Sequence, residues 1–386
     1  MNFDYLFPVS DAVIAHTMIL SDQVLGSRIV KHSKQSGVPD LEGVRLAIIA
    51  VEEGRAAVDN EETGQGLDEI RKQLYQLFPG NWITKIADLG NLQQGNTIED
   101  TYFALTELIT DLIKLNIIPI IIGGGHDLTY ANYRAYDALE QTVNVVSVDN
   151  KFDFGTIQDG ITSHSYLSSI VMEKPNNLFN FSNIGYQTFF NSQEEIDLIS
   201  DLFFDAYRLG DVAKNIEIVE PVLRDADIVT IDISAVRNSE APANKNATPN
   251  GLYGEDLCVI SRYAGISDKV TSFGIYEYNH RFDNKNQTAQ LIAQAIWYFV
   301  EGVNSRVNDY PFGTKDTYQK FIVPIEDEVL NFYKSDKTGR WWMEINFNNN
   351  NKYQRHSLIP CTYQDYLDAN EQEIPDRWYK TLKKVI

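Results

Sequence analysis

The chain has only two cysteines, Cys258 and Cys361, among 386 residues. They cannot supply a thiolate zinc site, and they give no disulfide framework. Positive charge is also scarce. Lys and Arg number 33 against 54 Asp and Glu, a formal net charge of −21. Such a surface repels phosphate backbones, which argues against nucleic-acid binding. The acidic excess is spread along the chain and reads as a solubilising surface. Long apolar runs are missing too. Ala12 to Leu20 is short and is interrupted by His16, so no transmembrane span is expected. Met1 to Pro8 lacks the basic start of a signal peptide, and the expected location is cytoplasmic. Asn180-Phe181-Ser182 and Asn246-Ala247-Thr248 match the glycosylation pattern, as chance allows in an Asn-rich chain.

Hydrophobic residues make up 43% of the chain, enough for a large core. That fits one big α/β domain with an extension, or two domains. From about residue 45 to residue 302, strand-like and helix-like segments alternate. Val44 to Val51, Ile117 to Ile122, Val143 to Asp149, Asp227 to Ile233 and Val270 to Tyr276 are short apolar runs of the kind buried on both faces of a sheet. Trp82 to Ala87 is read as a further strand. Helical spacing covers Leu67 to Leu77, Thr97 to Lys114, Thr129 to Leu139, Glu194 to Leu202, Val212 to Leu223, Glu255 to Ala264 and Asn286 to Val303. This rhythm predicts a parallel sheet with helices on both faces.

Beyond about Asn304 the texture changes. Fourteen aromatics fall between Tyr310 and Tyr379. Phe321 to Ile325, Val329 to Tyr333 and Arg340 to Phe347 look like short strands, Lys337-Thr338-Gly339 like a turn, and the Asn run at 348–351 like an exposed loop. The expected organisation is an α/β domain over 1–303 and a C-terminal extension over 304–386. The extension either packs on the core or presents a surface to a protein partner.

In an open parallel sheet, ligands bind beyond the carboxyl ends of the strands. The polar residues there are His126, then Asp149, Lys151 and Asp153, then Asp232 and Ser234, then Glu277. Gly123-Gly124-Gly125-His126 fails the dinucleotide pattern, because Leu128 stands where the third glycine belongs, and no Gly-Lys-Ser/Thr follows to make a P-loop. The glycines instead permit a tight turn that aims His126 inward.

Gly-Gly-Gly-His-Asp-Leu-Thr at 123–129, Asp-x-x-x-Asp at 149–153, Asp-Ile-x at 232–234 with Ala-Pro at 241–242, and Tyr-Glu-x-Asn at 276–279 occur in the order found in the ureohydrolases. Over roughly residues 40 to 303 the chain resembles this arginase, agmatinase and formimidoylglutamase family, with formimidoylglutamase the nearest flavour. The resemblance implies a three-layer arginase-like fold and a two-manganese centre with a bridging hydroxide that attacks a guanidinium or amidine carbon. It implies that His126, Asp149, Asp153 and Asp232 form the shell of the first metal. It also implies that the second metal has lost its own two ligands, because Lys151 stands for a histidine and Ser234 for a carboxylate.

Two expectations follow from that departure. Lys151, a donor without a lone pair while protonated, stands in electrostatically for the second ion, with its ammonium against Asp149 or Asp232. The centre then binds one Mn2+ or none. The reading adopted at this point is an arginase-fold protein that has lost dinuclear hydrolysis and serves a binding, regulatory or scaffolding role. The alternatives are an active hydrolase of linear amidine or guanidine C–N bonds, or a sensor of such a ligand. Glu277 matches the carboxylate that pairs with the substrate's guanidinium or amidine end, against a plain structural salt bridge. His164 lies near the place of a proton-shuttling histidine, against a surface loop residue. The resemblance also implies a homo-oligomer.

Overall fold

The computed structural model describes residues 3–139, 141–157, 160–311, 315–325, 328–345 and 358–385. The strands, in chain order, are β1 (Leu6–Phe7), β2 (Val30–Lys31), β3 (Val44–Glu52), β4 (Lys85–Gln93), β5 (Ile118–Gly123), β6 (Val143–Val148), β7 (Leu178–Tyr186), β8 (Asp205–Arg208), β9 (Ile228–Asp232), β10 (Ser272–Tyr276), β11 (Tyr318–Ile325), β12 (Glu328–Ser335), β13 (Trp341–Glu344) and β14 (Leu358–Cys361). The main sheet runs β1-β4-β3-β5-β10-β9-β6-β7-β8, with β2 also on β4. Its pairings are parallel except at the β1–β4 edge.

The apolar runs explain the three layers. Alternate residues of a strand point to opposite faces. Along β3, Leu46, Ile48 and Ala50 join one hydrophobic cluster, while Ala47, Ile49 and Val51 join the other. The first face is covered by the helices Asp68–Tyr75, Gly254–Ile266 and Gln287–Asn304, through side chains such as Ile70, Leu257 and Phe299. The second is covered by Ile98–Lys114, Leu128–Arg134 and Tyr166–Met172, through Leu105, Leu108, Ala131 and Ile170. Thr97 starts the longest of these with a reciprocal cap to Asp100, which satisfies orphan N–H groups of the first turn. No helix among the described residues is long and apolar enough to cross a membrane.

The observed elements include several that were not expected, among them the helix Tyr166–Met172 and the helices Tyr363–Asn370 and Asp376–Val385, and three further differences bear on the main sheet. The strand expected at Trp82 to Ala87 is β4, which starts three residues later because Trp82 turns aside to pack on Trp297, ring centroids 5.2 Å apart. The single helix expected at Val212 to Leu223 is three short pieces, Leu209–Lys214, Ile216–Val219 and Glu220–Arg224. Asn215 caps the second piece and Pro221, which has no N–H, opens the third. β7 and β8 were not anticipated, since Asn180, Ser182, Asn183 and Gly185 make β7 look like loop. Polar groups of both strands are buried and pair across them instead: Asn180 donates to the Asp205 carboxylate on β8 at 2.9 Å.

The extension forms its own antiparallel sheet, β11-β12-β13-β14, and its own apolar cluster around Phe332, Trp341, Met343 and Trp378. Ser335 and Gly339 close the expected turn, the Gly339 N–H donating to the Ser335 carbonyl at 3.0 Å. Residues 346–347 and the Asn run at 348–351 lie outside the described residues. This sheet docks at the amino ends of the core strands. Arg224, just before β9, donates to the Trp341 and Cys361 carbonyls at 3.1 and 3.0 Å and lies 4.6 Å over the Trp342 ring. Lys380 reaches Asp205 at the start of β8, at 3.5 Å. Arg224→Ala strips donors from two buried carbonyls, a loss of ~1–3 kcal/mol each before relaxation. Faster amide exchange confined to β13 and β14 is the expected result. Protection there equal to that of the unaltered protein would show that the docking does not depend on Arg224.

Candidate metal centre

The strands β5, β10, β9 and β6 are neighbours in the sheet, although far apart in the chain. Their carboxyl ends therefore deliver His126, Glu277, Asp232 and Asp149 to one place. The turn after β5 needs its glycines. A Cβ on Gly124, at φ +28°, would lie 2.0 Å from the Glu53 carbonyl oxygen. Asp153 and Glu277 are non-glycine residues with positive φ, 58° and 67°. Such conformations persist where the surroundings enforce them, and they gather at functional sites.

His126 is fully buried, and its Nδ1 faces three carboxylates. The distances are 3.1 Å to Asp149 Oδ2, 3.5 Å to Asp153 Oδ2 and 3.9 Å to Asp232 Oδ2. The other oxygen of Asp149 accepts from the Lys151 N–H at 2.9 Å, and that of Asp232 from the Ser234 N–H at 2.7 Å. On the far side of the ring, His126 Nε2 lies 2.9 Å from Thr230 Oγ1, which lies 2.6 Å from Thr129 Oγ1. This chain of hydroxyls lets Nε2 carry the proton and leaves Nδ1 as the inward donor atom.

The electrostatics call for a cation. Burial opposes charge on the His126 ring, yet its contacts with Asp149 and Asp153 raise its pKa well above the ordinary value. Burial, then Asp149, raises Asp153 well above the carboxylate range. Burial, then Asp149, pushes Asp232 up to about 6. Asp149 is lowered, because its contact with His126 outweighs burial. His126 Nδ1 and Asp149 Oδ2 are buried and make no hydrogen bond despite their closeness. Two unsatisfied buried atoms aimed at a shared point, ringed by carboxylate oxygens, fit a divalent ion that accepts mixed nitrogen and oxygen donors.

The remaining predicted residues divide. Glu277 is at the centre's edge, buried, and its oxygens accept from the His126 N–H at 2.9 Å and from Asn60 Nδ2 at 2.7 Å. Burial, then Asp232, raises its pKa well above the ordinary value. Among the described residues no cation pairs with Glu277, and the two donors to its oxygens are neutral. Ser234 supplies its backbone: its N–H goes to Asp232, and its carbonyl accepts from Asn150 Nδ2 at 3.0 Å. Lys151 does not place its ammonium on Asp149 or Asp232 as expected. Its Nζ lies 3.0 Å from His164 Nε2. His164 is accordingly not a free surface residue, and burial, then Lys151, lowers its pKa to about 4.

Sequence reasoning missed Asn60 and Thr230. Thr230 was within reach, since it lies two residues before Asp232 on one strand and shares its face. Asn60 carried no signal. It lies in the loop after β3, and only the fold brings it to Glu277, Asn279 and Lys245.

An open α/β sheet whose adjacent strand ends gather one histidine and several buried aspartates has the layout of the doubly wound class, with a group able to hold a metal ion at the carboxyl ends of its strands. Residues 45–301 match the family model described as the arginase family, and the chain belongs to that family. It is 26% identical over 285 residues to a formimidoylglutamase of Staphylococcus aureus (strain bovine RF122 / ET3-1), covering 71% of this chain and 89% of that protein. Among solved structures it is similar to formiminoglutamase of Trypanosoma cruzi, determined with Mn2+, at TM-score 0.64 and 18% identity, covering 69% of this chain and 96% of that one. It is also similar to the formimidoylglutamase of Bacillus subtilis subsp. subtilis str. 168, at TM-score 0.64 and 18% identity, covering 70% and 91%. The family match stops at residue 301, so the C-terminal sheet lies beyond it.

Proposed function

We propose that the protein is a metal-dependent hydrolase of a linear amidine C–N bond, with N-formimidoylglutamate the first substrate to test. In this reading His126, Asp149, Asp153 and Asp232 hold one divalent ion, manganese first among them. The observation that carries it is the pair of buried, unsatisfied atoms, His126 Nδ1 and Asp149 Oδ2, facing each other at 3.1 Å inside a carboxylate ring. The formimidoylglutamases similar to the chain support the same reading. When bound, such an ion lowers the pKa of a water and so supplies a nucleophile at neutral pH.

The protein's own groups do the rest. Glu277, buried and without a cationic partner among the described residues, offers its carboxyl oxygens to the amidinium end of a substrate, whose charge favours the ionised form that burial and Asp232 oppose. Asn60 and the His126 N–H fix the direction of that carboxylate. Thr230 fixes the His126 tautomer. His164, kept neutral by burial and then by Lys151, has only its Nδ1–H to give the leaving nitrogen, and the Lys151 ammonium at its Nε2 is the proposed source of the replacing proton.

The alternative of an active hydrolase is thus better supported than the lost reaction favoured from sequence. The observation that still favours a binding, regulatory or scaffolding role is Lys151 and Ser234, which give no ligand of the kind that the family resemblance implies for a second ion. Formamide release from N-formimidoylglutamate by manganese-loaded protein, abolished by a chelator, is the expected result, with agmatine as the comparison substrate. Manganese-bound protein that turns over neither compound would sink the hydrolase reading and leave the second.

A further inference from the structure

We propose that Lys245 selects the substrate by the charge of its tail. Its ammonium receives a carboxylate on an amidine whose reacting end lies on Glu277, so an anionic amidine is taken in preference to a neutral or cationic one. The inference rests on the hydrolase reading above and names the class of tail.

That reading puts the amidinium at Glu277, whose carboxyl accepts from Asn60 Nδ2 at 2.7 Å. The other end of the same amide, Asn60 Oδ1, accepts from the Lys245 N–H at 3.4 Å. One side-chain amide therefore separates the group that meets the amidinium from the backbone of Lys245. A flexible four-carbon stem carries the ammonium on from there, over a span comparable to a glutamate-sized tail.

The base of this lysine is fixed. On one side Asn244 Nδ2 donates to the Glu277 carbonyl at 3.0 Å, and on the other Asn246 Nδ2 donates to the Val58 carbonyl at 3.1 Å. The loop carrying Val58 is tied in turn to the loop of His164. The Ser163 N–H donates to the Ala56 carbonyl at 3.0 Å, and the Val58 N–H to Ser163 Oγ at 3.0 Å. The head is loose. Lys245 is exposed, and its Nζ lies 3.9 Å from Asp59 Oδ1, near the limit of an ion pair. Asp59 is itself close enough to His164 for its charge to act on that ring. The ammonium thus stands between the Glu277 side and the His164 side of the centre.

Neighbouring cations are already engaged. Arg55 is held by Glu53 and by the carbonyls of Gly95 and Asn96, Lys151 by His164, and Arg281 by Glu62. Of these four, Lys245 alone has a head without a close partner among the described residues. A carboxylate-bearing substrate entering a chain of net charge −21, toward four buried acidic groups, needs such a counter-charge. An exposed pair such as Lys245–Asp59 contributes little, so Asp59 yields readily to the substrate.

Steady-state kinetics of the manganese-loaded full chain tests this with two compounds. N-butylformamidine releases the same formamide as N-formimidoylglutamate but from an uncharged tail. Lys245→Ala is expected to raise KM for N-formimidoylglutamate about tenfold, the loss of one hydrogen bond to a charged group. kcat should change by less than about twofold, and kcat/KM for N-butylformamidine should stay as it was. Lys245→Arg keeps the charge and is expected to recover most of the loss. Asp59→Asn removes the competing carboxylate and is expected to lower KM for N-formimidoylglutamate.

An unchanged KM in Lys245→Ala would overturn the proposal and spare the hydrolase reading. So would an equal fall with both compounds, or an arginine variant no better than alanine, since each points to a structural role. Protein that turns over neither compound sinks the hydrolase reading, and calorimetric titration with N-formimidoylglutamate then decides this inference. Binding weakened about tenfold by Lys245→Ala upholds it. Binding indifferent to the substitution, or no binding at all, overturns it.

Discussion

Asp153→Asn is expected to lower manganese affinity by at least ~100-fold while raising the melting temperature of the metal-free protein by ~1–3 °C. The two effects have one cause. Asp153 sits at φ 58°, a left-handed conformation that Asn tolerates well, so the backbone has no reason to move. What changes is charge. The ligand atoms of His126, Asp149 and Asp153 lie within 4.8 Å of one another. Like charges at that range repel by on the order of 3 kcal/mol at an effective dielectric of about 20. Burial, then Asp149, accordingly raises the Asp153 pKa well above its ordinary value.

The sign of the pH dependence follows. A carboxyl with a raised folded-state pKa holds its proton more tightly when folded. Its stabilising contribution is present below the unfolded value of about 4 and is lost as pH rises through the folded value. Asn cannot lose a proton, so the variant escapes that loss. Its thermal advantage should be clear at neutral pH and vanish in acid. Differential scanning calorimetry of metal-free protein across that range checks the sign. A variant less stable than the parent at neutral pH would mean that the cluster is a structural network, not a site strained to receive a cation.

The second large effect lies away from the centre. Arg71→Met is expected to cost ~3–5 kcal/mol, because it leaves a buried carboxylate without its counter-charge. Arg71 and Asp88 are both fully buried. The guanidinium donates to Asp88 at 2.8 and 3.1 Å, to Asn91 Oδ1 at 2.6 Å and to the Gly90 carbonyl at 2.7 Å. Tyr75 donates to the same Asp88 at 2.8 Å. The cluster fastens the helix Asp68–Tyr75 to β4, and Asn91 passes the connection to Glu52 at the end of β3 with a 2.6 Å hydrogen bond. The loop carrying Asn60 begins there, so the loss should reach Glu277 as well as global stability. Chemical denaturation measures the cost. Adding Asp88→Asn removes the stranded charge and should recover part of it. Equal stability of the single and double variants would mean that hydrogen bonds, not charge, account for the effect.

Much of this protein could be read from the chain, for a local reason. A strand buried on both faces must be apolar throughout, so β3, β5, β6, β9 and β10 announce themselves, and polar residues just past them stand out. His126, Asp149, Asp153, Asp232 and Glu277 were legible that way, and the ordered motifs around them pointed to the family. Elements whose polar groups are satisfied at long range stayed hidden. β7 resembles a loop until Asp205 on β8 meets Asn180. The helix expected at 212–223 is a local miss, since the Asn215 side chain caps the Glu217 N–H and Pro221 starts a new piece.

What the sequence by itself determined is which residues can bind or transfer charge and at which strand ends they stand. This follows because side-chain chemistry and strand periodicity are properties of the chain. What only the tertiary structure decided is who faces whom. The sheet order brings β5, β10, β9 and β6 side by side, which gathers the aspartates around one imidazole. It turns Lys151 to His164 instead of to a carboxylate, ties Glu277 to Asn60, and sends the aromatic extension to Arg224 at the opposite end of the strands. Those pairings join residues distant in the chain, and the alternatives differ by a rotamer or a loop path that no local pattern encodes.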